Sequence, residues 1–238
     1  MMKRILYIVM GLFVLMSIRA EEQKQASKAE RYDVSVGVEY AYNHTRGSLA
    51  NFDVLSTMPI HRYFEMEAAF QASTVNEYTA GMVLRPKYAL RVGELFVDGQ
   101  VLYKGVVRAG QSDLAWGLSV GYRMDYVRVQ VGWSGRVLSM KNNEGACTRV
   151  LEPINILYRV DVCARPQTCN WNIHVCGTNY DDFQIERMTE PLFMLGGRYD
   201  PTENWRVSLD VICKPSGIFH VNANFYEAMV RAKATYSF

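Results

Sequence analysis

The chain has 238 residues, 49% of them hydrophobic and 21% charged, with 26 Lys+Arg against 24 Asp+Glu. Three of those cations, Lys3, Arg4 and Arg19, fall within the first twenty residues, so the remainder carries 23 against 24, a net charge of −1. That balance leaves no electrostatic case for a nucleic-acid partner, and after Ala20 no run reaches the roughly 20 apolar residues of a transmembrane helix.

Met1 to Ala20 reads as a secretory signal peptide: Lys3 and Arg4 precede an apolar stretch from Ile5 to Ile18, and Ile18-Arg19-Ala20 offers an imperfect cleavage site. The next segment, residues 21–31 (EEQKQASKAER), is polar and poor in β-formers, and reads as a short periplasmic tail without a fold of its own. The remaining residues, 32–238, form one domain.

From Tyr32 onward the chain alternates with period two, the signature of strands with one apolar face. Val34, Val36, Val38, Tyr40 and Tyr42 share a face opposite Asp33, Ser35, Gly37 and Glu39; Phe52, Val54 and Ser56 continue less clearly toward Pro59. Phe64 to Phe70, Tyr78 to Leu84 and Leu95 to Tyr103 follow. The clearest stretch is Leu114 to Val137, read as a hairpin with its turn at Met124-Asp125. There Leu114, Trp116, Leu118, Val120 and Tyr122, then Val127, Val129, Val131 and Trp133, alternate with small residues and arginines. Further runs are Ile154 to Val162, Trp171 to Val175, Leu192 to Gly196, Trp205 to Val211 and Tyr226 to Phe238.

The sum is an all-β, antiparallel up-and-down transmembrane barrel of about twelve strands, or ten if the run near Phe52 is not a strand. Strands of about ten residues with an apolar outer face and a polar inner one match a lipid-facing wall better than a soluble sandwich, whose strands run about five or six residues. Turns are expected at Met58 to His61, Pro86 to Gly93, Met124-Asp125, Arg165 to Cys169 and Asp200 to Asn204. Long loops are expected at Leu138 to Pro153, Gly177 to Glu190 and Cys213 to Asn224.

The last eight residues, Arg231-Ala232-Lys233-Ala234-Thr235-Tyr236-Ser237-Phe238, resemble the C-terminal β-signal of bacterial outer-membrane barrels. Arg231, Tyr236 and Phe238 match it, while Lys233 stands where glycine is usual. The resemblance implies a chain in the outer membrane, surrounded by its lipid, with both termini in the periplasm. It also implies insertion by the barrel assembly machinery, for which Tyr236 and Phe238 carry the signal. The small, tyrosine-rich barrel looks like those of the Bacteroidota, some of which are accessory subunits of larger outer-membrane complexes.

Candidate functional residues are the charged members of the inner face. They include Asp98, Arg123, Arg128, Arg136, Arg159, Asp161, Arg206, Asp210, Glu227 and Arg231, together with Glu65, Glu67, Gln100, Lys104, Gln130, His174, Arg198 and Lys233. Such a lining either selects ions and small solutes, as charged rings do in pores, or fills the interior with interstrand ion pairs; mixed signs serve both. An accessory, non-conducting role is the alternative function. The five cysteines are Cys147, Cys163, Cys169, Cys176 and Cys213, and Cys163 and Cys169 flank one turn closely enough to suggest a disulfide. No spacing matches a metal motif, no cofactor is expected, and His44, His174 and His220 lack the partner motifs of a lipid-modifying enzyme.

Overall fold

The computed structural model describes residues 31–43, 47–75, 77–106, 110–141, 147–165, 169–180, 191–216 and 224–238. The expected signal segment, the polar tail up to residue 30, His44 and His220 lie outside the described residues. Among those described, twelve strands follow in order: β1 (Asp33–Asn43), β2 (Gly47–His61), β3 (Phe64–Ser73), β4 (Glu77–Ala89), β5 (Glu94–Val106) and β6 (Gln111–Arg123). The second half comprises β7 (Val127–Lys141), β8 (Cys147–Cys163), β9 (Trp171–Thr178), β10 (Leu192–Tyr199), β11 (Trp205–Ser216) and β12 (Asn224–Ser237). Each strand pairs antiparallel with its neighbours in sequence, and β1 pairs with β12, so the sheet closes and leaves no edge. The run near Phe52 is β2, which removes the ten-strand alternative.

Alternation sorts the side chains as a membrane wall requires. On β6 the outer face presents Leu114, Trp116, Leu118 and Val120, while Ala115 and Ser119 are buried inside. On β1 Val36, Val38 and Tyr40 face out, and Ser35, Glu39 and Ala41 face in. Large aromatic residues mark the outer face near both ends of several strands: Phe193 and Tyr199 on β10 are six residues apart, about 20 Å along the chain.

Several connections lie beyond where the sequence places them, and proline is the physical reason. Pro59 does not turn the chain: β2 runs on to His61, with a register shift between Pro59 and His61, and the turn is Arg62-Tyr63. Pro153 and Pro215 do the same, since the β7–β8 shift falls opposite Pro153 and the β11–β12 shift falls between Lys214 and Pro215. A bulge is where a strand tolerates a residue without an N–H. The expected Leu138 to Pro153 loop is therefore mostly strand, as is Cys213 to Ser216. Pro86 likewise lies inside β4, and the turn follows at Leu90–Gly93, where Leu90 N donates to Gly93 O at 2.9 Å and Gly93 takes a φ of 80°.

The hairpin turn is displaced by one residue. Arg123 pairs with Arg128 and Met124 N donates to Val127 O at 2.7 Å, so the tight turn is Asp125-Tyr126. Tyr122 faces Val129 and Leu118 faces Trp133 in this register, so outward residues still meet outward residues.

Candidate functional site

The inward face of β3, β4 and β5 gathers charges around Arg85. Its Nε donates to Asp98 Oδ1 at 2.5 Å and its Nη2 to Asp98 Oδ2 at 3.2 Å. Its Nη1 reaches Glu65 Oε1 at 2.6 Å and Glu67 Oε1 at 2.5 Å. Lys87 Nζ approaches the other Glu65 oxygen at 3.2 Å. Successive inward positions are two apart on each strand, so Glu65 and Glu67 on β3 and Arg85 and Lys87 on β4 share the inner face; Glu65 pairs with Arg85 in register, and Glu67, opposite Val83, lies diagonal to it. Such charge-assisted bonds are short because both partners are ionised.

The network continues along the wall. Gln130 Nε2 donates to Asp98 Oδ2 at 2.9 Å and to Ser119 Oγ at 2.6 Å, and Arg128 Nη2 stands 3.5 Å from Asp98 and 2.9 Å from Gln130 Oε1. Phe96, on the inner face of β5, is ringed by three guanidiniums at 4.8 Å (Arg128), 5.3 Å (Arg123) and 5.7 Å (Arg85) from its centroid. These are cation–π distances. The ring lies over Gly121, its partner in register, in the space a Cβ there would need. Beyond, Arg159 Nε donates to Asp161 Oδ2 at 2.7 Å, and Asp161 pairs in register with the buried Cys176.

A second cluster lies at the closing seam, where β12, β1 and β2 are neighbours. Arg231 on β12 donates to Glu39 Oε2 through Nη2 at 2.6 Å and Nε at 3.0 Å, and Asn51 Nδ2 donates to Glu39 Oε1 at 2.7 Å. Lys233 Nζ lies 3.7 Å from Asp53, whose carboxylate occupies the space above Gly37. On β9 and β11, His174 Nε2 lies 3.5 Å from Asp210 Oδ1.

The other sequence-selected residues are more dispersed. Arg198 and Arg206 both approach Asp200, at 3.3 and 3.1 Å, at the end of the barrel that holds the described termini. Arg123 sits 3.8 Å from Glu94 near the same end. Lys104 pairs with Glu77 at 3.0 Å toward the other end. Arg136 lies across from Glu152 beyond the β8 bulge, and Glu227 pairs in register with Lys214 and Asn43. Tyr236 stacks edge-on against Trp205 at 5.0 Å and Phe238 at 4.9 Å, and Phe238 N donates to Tyr32 O, joining the two ends of the chain. The bridge expected between Cys163 and Cys169 is not formed, and all five cysteines are free. Cys163 ends β8 in register with His174, while Cys169 lies across the turn with its carbonyl accepting from Arg198.

Sequence reasoning missed the hub. Arg85 escaped because Pro86 reads as the end of a strand, and Phe96 because an aromatic is expected on the lipid side. Asp53 lay in the weakly alternating run around Phe52.

No family model matches the sequence, and no curated protein does. Solved structures do match in shape. The KdgM porin in complex with disordered oligogalacturonate aligns with a TM-score of 0.55 at 10% identity, over 87% of this chain and 99% of that one. The NanC porin aligns at 0.53 and 9% identity, over 86% and 100%. The translocator domain of autotransporter NalP from Neisseria meningitidis aligns at 0.52 and 11%, over 96% of each. At these identities the likeness establishes the fold, that of bacterial outer-membrane barrels.

Proposed function

We propose that the chain resides in a bacterial outer membrane and conducts ions or small solutes through its charged interior, with both termini in the periplasm. The observation that carries this reading is the lining itself. Glu65, Arg85, Asp98, Arg128, Asp161, Asp210, Arg231 and Glu39 place charge on most of the circumference of a closed twelve-strand barrel. Twelve strands enclose more than the side-chain-filled interior of an eight-stranded barrel and less than a porin of sixteen to eighteen strands. Mixed signs favour small solutes that exchange water for alternating donors and acceptors. The porin neighbours support the same class at the level of fold.

The density of ion pairing supports a second reading, a non-conducting subunit of a larger outer-membrane assembly. The walls described contain no recognisable hydrolytic constellation, so a lipid-modifying enzyme ranks last. Planar-bilayer recording separates the first two. The channel reading expects discrete ion-selective steps that change in selectivity in Arg128→Ala or Arg136→Ala. A folded, heat-modifiable protein that stays silent and co-purifies with partner proteins refutes it.

A further inference from the structure

The charged lining is interrupted where β9 ends. β8 and β9 pair only from Arg159↔Thr178 to Cys163↔His174, although β8 reaches back to Cys147. Where the β9 backbone departs, Asn179 serves in its place. Tyr158 N donates to Asn179 Oδ1 at 2.9 Å, Asn179 Nδ2 donates to Ile156 O at 2.5 Å, and the Thr178 hydroxyl donates to Tyr158 O at 2.9 Å. The amide side chain thus satisfies β8 backbone groups that a strand would otherwise hold.

Pinned there, the chain enters the barrel. Tyr180 is 5% exposed and clusters with Leu102 of β5, Ala115 of β6 and Leu157 of β8. All three neighbours alternate with outward residues, namely Val101, Leu114 and Ile156, so all three belong to the inner face. Gly117 leaves room beside Leu157, whose Cδ1 would lie 3.2 Å from a Cβ at that position. From β8 to β5 is three strand spacings, about 14 Å of wall. Tyr180, just beyond β9, thus joins an apolar cluster that spans the inner wall from β8 to β5.

We propose that Thr178–Tyr180 is an inward-folded constriction and that Tyr180 sets the size limit of the conduction path. The proposal rests on the channel reading. It is tested on the full-length protein in planar bilayers, with neutral polyethylene glycols of graded mass as probes of the accessible width. Tyr180→Ala is expected to raise single-channel conductance about twofold or more, as widening a pore at its narrowest level does, and to admit larger polymers. Asn179→Ala, which releases the segment without touching the apolar cluster, moves both readouts the same way and serves if Tyr180→Ala does not reach the heat-modifiable folded form. Tyr103→Phe, on the outer face, leaves them unchanged. A conducting wild type whose Tyr180 and Asn179 variants keep its conductance and cutoff overturns the constriction and leaves the channel standing. A folded wild type that is silent together with its variants overturns the channel reading, and the constriction with it.

Discussion

Replacing Arg85 by Met tests whether the charged wall is held by its pairs or only hydrated. Arg85 and Asp98 are 7% and 6% exposed, and Arg85 serves three carboxylates at once. Removing one partner of a buried pair leaves about 3–5 kcal/mol uncompensated, but the three carboxylates do not lose equally. Glu65 retains Lys87, and Asp98 retains Gln130 and Arg128. Among the described residues Glu67 has no other ion pair, and at 23% exposure it recovers some hydration. The expected destabilisation is therefore about 3 kcal/mol, one orphaned carboxylate and not three. The assay is equilibrium urea unfolding in detergent or lipid, followed by tryptophan fluorescence and by the heat-dependent shift on gels, with the slope checked for constancy. Adding Glu67→Gln to Arg85→Met should recover roughly half of the loss by removing the orphaned charge. A loss below about 1 kcal/mol, the range of solvated surface pairs, refutes the reasoning. So does a double variant no more stable than the single one.

At the closing seam, Arg231→Met removes the two-toothed partner of the fully buried Glu39 and should lower stability by about 3–5 kcal/mol in the same unfolding assay; a neutral result would mean the carboxylate's remaining contacts, Asn51 among them, suffice. Two glycines make opposite predictions. Gly132→Ala drives a methyl into the Leu118 carbonyl and the Ser119 backbone, which cannot rotate away, for a loss of about 1–3 kcal/mol, whereas Gly197→Ala meets nothing within 4 Å and should be neutral or stabilising by about 0.5–1 kcal/mol. Equal unfolding midpoints for the two would discredit this steric argument. Deleting Phe238 removes one ring of the Trp205–Tyr236–Phe238 stack and the strand-end bond to Tyr32. It should sharply lower the fraction of heat-modifiable protein recovered from cell membranes while changing the unfolding free energy of the purified barrel by about 1 kcal/mol or less; normal membrane yield would argue against a signal at this end.

What the sequence could convey was parity. Val127, Val129, Val131 and Trp133 against Arg128, Gln130 and Ser134 need only the period of two to be sorted, and the twelve-strand count follows from repeating that exercise. What it could not convey was register. Nothing in the spacing of Arg85 and Asp98 says that they meet, because β4 and β5 pair through a turn whose position depends on whether Pro86 ends a strand or sits within it. The misplaced turns at Pro59, Pro86 and Pro153 share that cause: a proline reads as a stop, and bulged or terminal stretches of barrel strands accept it. Tyr180 was out of reach for another reason. It belongs to no alternating run, and only the early end of β9 beside the long β8 turns its segment inward.

The seam between β1 and β12 also bears on how the ring knows where to stop. Glu39 and Arg231 are 192 residues apart, so theirs is among the last encounters a folding chain can arrange, and chain entropy disfavours it more than any hairpin. The first two strands bring carboxylates at Glu39 and Asp53 to that meeting, and the last brings the cations of Arg231 and Lys233. A slip by two residues keeps every face correct yet shifts Arg231 about 7 Å along the wall from Glu39. The last strand thus meets the first two with opposite charge in a single register.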